Sequence, residues 1–195
     1  MKIGILAVQG AFIEHEQVLS KLGIEYFEIR QKSHLENPPD GIILPGGEST
    51  VMGKLACELE ITQKLKEYIK SGVPVFGTCA GMILLAKEIE GEKNHLGLMD
   101  IIVRRNAYGR QLGSFETLSD FNGKQIKMVF IRAPYVSSAE EDVEVLSSVD
   151  GKIVAVRQNN MLATAFHPEL TDDTAVHEYF ISMIKEHTEE ENAPL

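Results

Sequence analysis

The sequence predicts an α/β fold in three layers: a mostly parallel central sheet with helices on both faces, and an antiparallel β extension in the second half. Three observations predict it. From residue 2 to residue 91, short apolar runs alternate with segments of helical period, the pattern of parallel strands joined by helical crossovers. Beyond residue 97 the segments become strand-like and are joined by short polar turns. One amphipathic segment, 172–187, then closes the chain.

The elements follow in order. KIGILAV (2–8) is a largely apolar run and reads as a buried strand. A signal peptide needs a longer apolar region and a small-residue cleavage site, so a strand is expected there instead. AFIEHEQVLSKLG (11–23) places Phe12, His15 or Glu16, Leu19 and Leu22 near helical spacing and stops at Gly23. IEYFEIR (24–30) and GIILPG (41–46) are the next strands. STVMGKLACELE and ITQKLKEYIKSG (49–72) read as helices stopped by Gly72, with Cys57 on a core-facing side. VPVFGT (73–78) is a fourth strand, and AGMILLAKEIEG (80–91) a helix ending near Gly91. The second half supplies strands at LMDIIVRR (98–105), KMVFIRA (127–133), VEVLSS (143–148), KIVAVRQ (152–158) and MLATAFHPEL (161–170), with RQNNM (157–161) as a hairpin turn. In the closing helix Val176, Tyr179, Phe180, Met183 and Ile184 share one side. A single domain over 1–187 with a frayed acidic tail at 188–195 is therefore expected.

Composition narrows the function. At 195 residues the chain builds one well-buried core and is short for two. Hydrophobic residues at 44% and charged residues at 25% describe a water-soluble globular chain. A net charge of -10 argues against a nucleic-acid surface, which needs clustered Lys and Arg. No stretch approaches the roughly 20 apolar residues of a membrane span. Two cysteines make no disulfide framework, and no Cys/His cluster has zinc-like spacing, so a cytoplasmic protein without a metal is expected.

Cys79 sits in Gly77-Thr78-Cys79-Ala80-Gly81, between a strand and a helix. G-x-C-x-G at that junction is a nucleophile elbow with Cys in place of Ser. The nucleophile is held in a strained backbone conformation, and a side chain at either flanking position would collide with its surroundings. The helix starting at Ala80 turns unpaired N–H groups toward the reacting centre, and the Ala80 N–H is one candidate oxyanion donor. Such a nucleophile needs a base. Of the six histidines, His15, His177 and His187 are expected on helix surfaces, and His34 and His95 in polar loops. His167 differs, ending an apolar strand at the sheet edge where ligands gather. Glu169, two residues on, falls on the same side of an extended backbone and would orient the imidazole. In LPGGEST (44–50), the Gly46-Gly47 loop forms a nest of N–H groups, and Gly47 is the second candidate oxyanion donor.

LPGGEST, GTCAGMILLA and FHPEL, in this order, resemble the class I (triad-type) glutamine amidotransferase family. AVQGAFIEHE, LGLMDIIVRRNAYGRQLGSFE and FIRAP are similar, more closely, to the glutaminase subunits of pyridoxal 5′-phosphate synthases. The resemblance runs from residue 2 to about residue 186. It implies a flavodoxin-like sheet and hydrolysis of L-glutamine to glutamate and ammonia, with Cys79, His167 and Glu169 as the catalytic triad and no cofactor. It also implies that Gly47, Glu48, Ser49, Arg105, Ile131 and Arg132 bind glutamine. A fork of donors on Arg105 suits the substrate carboxylate, whereas Arg104 points the other way on its strand.

Free ammonia at neutral pH is mostly protonated, and a second domain to use it is not expected in the chain. The implied partner is the separate synthase subunit, in a hetero-oligomer, contacting QGAFIEHE and the Gly46-Gly47 loop. The alternatives at this point are a glutaminase subunit serving histidine or purine biosynthesis, and a non-catalytic regulatory subunit.

Overall fold

The computed structural model describes residues 1–105 and 114–191. Part of the RNAYGRQ stretch and the last four residues of the expected tail lie outside them. The elements run β1 (Lys2–Leu6), α1 (Phe12–Lys21), β2 (Glu25–Ile29), β3 (Gly41–Leu44), α2 (Ser49–Glu58), α3 (Ile61–Lys70), β4 (Val75–Thr78) and α4 (Ala80–Leu85). There follow β5 (Ala86–Ile89), β6 (Met99–Arg104), β7 (Ser114–Phe121), β8 (Lys124–Ile131), β9 (Tyr135–Ala139), β10 (Glu144–Val149), β11 (Lys152–Gln158), β12 (Met161–Thr164) and α5 (Ala175–Glu191).

The large sheet has the order β2-β1-β3-β4-β12-β11-β9-β6-β5, with β10 beside β11. From β2 to β12 every pairing is parallel. Strand β11 then joins antiparallel through the expected hairpin, where Gln158 faces Met161 and Asn159 takes a positive φ of 52°. Strands β7 and β8 form a separate antiparallel ribbon. The predicted architecture, a parallel sheet carrying an antiparallel extension, is present.

The two faces of β4 show how the layers form. Phe76 points to one side, where its ring meets His177 and Phe180 of α5 and His15 of α1. Gly77 points to the other, where a Cβ would lie 2.6 Å from the Gly81 carbonyl carbon of α4. Helices α2, α3 and α4 share that second face, closing around Leu6, Ala56, Leu65 and Leu84. Because β1, β3, β4 and β12 are parallel, the segments after them (Gln9–Ala11, Gly46–Ser49, Cys79 and His167) leave the sheet at one edge.

Several expectations change. The helix expected over 80–91 stops at Leu85, and Ala86–Ile89 instead pairs in parallel with β6. Its sequence suits a helix, but an open strand edge offers backbone partners that an isolated helix does not need. Cys57 is exposed, so the core-facing position assigned to it is wrong; Met52 and Ala56 carry the buried side of α2. His15 and His177 are fully buried rather than on helix surfaces, because α1 and α5 meet over β4. Helix α5 continues into the expected tail, to Glu191.

Candidate active site

Cys79 occupies the turn between β4 and α4 with φ 49° and ψ -98°, a conformation that side-chain-bearing residues rarely adopt. The surroundings impose it. A Cβ on Gly81 would lie 2.0 Å from the Leu44 carbonyl oxygen, and one on Gly77 would press into the α4 backbone at 2.6 Å. The Cys79 N–H donates to Thr164 O on β12 at 2.7 Å, which ties the elbow to the strand leading to His167.

His167 follows β12 and its N–H donates to Val129 O at 2.8 Å. Its imidazole faces the Cys79 side chain on one side, and on the other Nδ1 lies 2.7 Å from Glu169 Oε1. Glu169 arrives through the short 3-10 turn Pro168–Leu170 rather than by the expected extended alternation. Glycine at position 46 makes room, since a Cβ there would lie 2.3 Å from His167 Cε1. Burial works against a charge on His167, but the hydrogen bonds and negative charge of Cys79 and Glu169 outweigh it and push the imidazole up to about 10.

A folded-state value above the ordinary 6.5 means that this contribution to stability is complete below about pH 6.5 and is lost as pH rises through about 10. Thermal melts across that window are expected to show a falling midpoint for the wild type and a shallower fall for Glu169→Gln. Parallel slopes would remove Glu169 as the source of the shift.

The sulfur opens into a cleft of about 490 Å³, within the range of small-molecule sites. Gly47, Glu48, Ser49, Arg105, Ile131 and Arg132 line it together with Cys79 and His167. Ala80 and Glu169 lie buried behind. Ser49 is almost fully buried and its Oγ has no partner among the described residues. Arg132 holds a φ of 43°, a second strained residue at the cleft. Arg104 points away to Glu90, as its strand position predicts.

Arg105 is already engaged. Its Nη2 lies 3.1 Å from Glu48 Oε1 and its Nη1 2.9 Å from Glu92 Oε2. Burial disfavours ionised Glu48, but the Val51 and Thr50 amides at the start of α2 and the Arg105 guanidinium hold its carboxyl below the usual range. A substrate carboxylate binding Arg105 would therefore compete with, or rearrange, this acidic pair.

The Gly46-Gly47 loop is likewise fixed. Ala11 N–H donates to Gly46 O at 2.9 Å, and Glu48 N–H to Gln9 Oε1 at 2.8 Å. In a trans peptide this turns the Gly47 N–H to the side opposite Ala11.

Sequence reasoning missed the layer behind the triad. His15 Nδ1 lies 2.9 Å from His177 Nε2, and His15 Nε2 lies 3.2 Å from Thr78 Oγ1 and 3.6 Å from Glu169 Oε2. The available signal was spacing: His15 shares a helical stripe with Phe12, Leu19 and Leu22.

The same assembly of parts occurs in known proteins. The profile of the SNO glutamine amidotransferase family matches residues 5–186. A pyridoxal 5′-phosphate synthase subunit PdxT from Methanocorpusculum labreanum is 57% identical over 94% of this chain and 98% of its own. One from Streptococcus pneumoniae strain CGSP14 is also 57% identical, over 95% and 98%. A crystal structure of a glutamine amidotransferase superposes with a TM-score of 0.89 at 46% identity, covering 94% of this chain and 98% of that one. An elbow cysteine beside a histidine at the carboxyl edge of such a sheet, and a profile match over nearly all of it, have one reading: the chain belongs to the SNO glutamine amidotransferase family.

Proposed function

We infer that this chain is the glutaminase subunit of a pyridoxal 5′-phosphate synthase, hydrolysing L-glutamine and passing ammonia to a separate synthase subunit. The relatives named for that role match over nearly their whole length. The observation that carries the chemistry is the continuous Cys79–His167–Glu169 contact at the floor of a cleft sized for an amino acid.

With its proton already passed to His167, Cys79 Sγ attacks the side-chain amide carbon. Set between Cys79 and Glu169 and shifted to about 10, the imidazole keeps that proton at neutral pH until the leaving nitrogen needs it. The carbonyl oxygen becomes an oxyanion, received by the N–H groups of Gly47 and Ala80. Its collapse breaks the C–N bond, releases ammonia with the proton from His167, and leaves a glutamyl thioester. His167, now neutral, deprotonates the water that attacks the thioester; the C–S bond then breaks, glutamate leaves, and Cys79 Sγ is restored beside protonated His167. Glu169 keeps Nδ1 protonated, so that Nε2 does the proton transfer throughout. Gly47, Glu48, Ser49, Arg105, Ile131 and Arg132 bind the substrate, with the unpartnered Ser49 hydroxyl free to meet a polar group.

The partner docks on residues 9–16 and the Gly46-Gly47 loop. Their two mutual hydrogen bonds support this reading, because a push on one segment moves the other. Ile13, more than half exposed, offers an apolar contact there. Docking then aligns the oxyanion donors and couples hydrolysis to ammonia demand. We further place the protein in the cytosol as one domain over 1–187; among the described residues no helix is long and apolar enough to cross a membrane.

Glutamine labelled with 15N in its side-chain amide tests the whole reading. With the synthase subunit and its phosphosugar substrates, glutamate is expected to form and the label to enter the pyridoxal ring. The chain alone is expected to be far slower. Equal rates with and without the partner would remove the coupling, and absence of glutamate in the complex would sink the assignment.

A further inference from the structure

Directly behind the triad, on the side away from the cleft, α1 and α5 bury two histidines that the mechanism above does not use. His15 and His177 are both fully buried. Around His15 stand His177 and Phe76, the Thr78 hydroxyl, and Glu169 with His167 beyond it. Burial is the main cause holding both imidazoles below their ordinary value, His177 at about 4, so both are neutral at neutral pH.

Neutrality forces a choice of tautomer. If His15 carried its proton on Nδ1, it would donate to His177 Nε2. His177 would then keep its own proton on Nδ1, which has no partner among the described residues, and the His15 Nε2 lone pair would face a carboxylate oxygen. A buried unpaired donor and a lone pair against an anion are both costly. The opposite arrangement removes both faults: His177 Nε2–H donates to His15 Nδ1, and His15 Nε2–H points at Thr78 Oγ1 and Glu169 Oε2. Only a lone pair on His177 Nδ1 stays unmatched. The chain of donors therefore runs one way, from α5 through α1 to the triad acid. Glu169 Oε2 needs it, because that oxygen is buried and has no hydrogen bond of its own.

We propose that His15, with its tautomer set by His177, is a positioning residue that holds the distal oxygen of Glu169 so that the proximal oxygen stays on His167. The 3.6 Å separation is too long for a hydrogen bond but aims the N–H dipole at the charge. Without it, the carboxylate has an unbalanced buried oxygen and a reason to rotate away from His167. The proposal rests on the glutaminase reading for its kinetic consequences, though not for its structural one.

The test uses the glutaminase–synthase complex and compares wild type, His15→Phe and His15→Gln. Phenylalanine keeps a ring and removes both nitrogens; the glutamine amide reaches where Nε2 lies. We expect His15→Phe to lower kcat for glutamate release about tenfold or more with KM for glutamine within twofold, since a small misplacement of a catalytic group is costly. His15→Gln should recover most of the rate. Independently of turnover, NMR titration of the His167 ring should give a value displaced from about 10 toward 6.5 in the Phe variant and restored in the Gln variant. Should His15→Phe fail to fold, His177→Phe, seated between Phe76 and Phe180, removes the N–H that sets the tautomer and should move the titration the same way. An unshifted His167 titration in a folded variant would overturn the proposal. A wild-type complex that releases no glutamate, with the titration shifted as expected, would overturn the glutaminase reading and leave this one standing.

Discussion

Cys79→Ala, assayed in complex with the synthase subunit, is expected to lower glutamate release by about 10⁴-fold or more, the scale on which removal of a covalent nucleophile acts. No other cysteine can substitute among the described residues, since Cys57 lies exposed on α2. Alanine at φ 49° carries the same backbone strain as cysteine, so the fold should be kept. His167 loses the contribution of Cys79 that raises it, so its titration should drop from about 10 while Glu169 still holds it. Supplying ammonia directly to the complex should restore pyridoxal 5′-phosphate formation, because the synthase is untouched. A Cys79→Ala complex that still releases glutamate near the wild-type rate would remove Cys79 as the nucleophile.

The second large effect is on stability and comes from a methyl group. In Gly81→Ala the new Cβ would sit 2.0 Å from the Leu44 carbonyl oxygen, backbone against backbone, with no flexible side chain to give way. Either β3 or the first turn of α4 must move, and both carry the site: β3 leads into the Gly46-Gly47 loop and α4 follows the elbow. Overpacking of this kind costs about 3 kcal/mol, which in a chain of this size lowers the melting temperature by roughly 6–12 °C. Activity should fall further than stability, since the elbow geometry is lost even in molecules that remain folded. Gly91→Ala is the control. Gly91, unlike Gly81, has a positive φ, 77°, and nothing lies within 4 Å of its Cβ position, so only backbone strain is added. Calorimetry of both variants checks the contrast, and equal melting temperatures would remove the steric account of the elbow.

Local chemistry made the elbow legible in the sequence. Two glycines around a cysteine at a strand-to-helix junction form a pattern readable within one turn; Gly77 avoids a collision inside that turn, at Gly81, and Gly81 avoids one with Leu44 on β3. The parallel half was readable for the same reason, because each βα unit carries its own periodicity. His167 could be picked out from five other histidines by its place at a strand end. What failed were inferences needing a second element. Ala86–Ile89 has the composition of a helix and becomes a strand because β6 lies beside it. The carboxylates that hold Arg105, Glu48 and Glu92, likewise could not be read from its own segment.

By itself the sequence determined which groups have reactive chemistry and where the elbow lies, since both are written in neighbours along the chain. Only the tertiary structure decided what stands behind Glu169. His15 and His177 lie on helices at opposite ends of the polypeptide, and nothing in either segment requires the other. Their contact exists because α1 and α5 cover the same face of β4, and that pairing follows from the order in which strands assemble into the sheet.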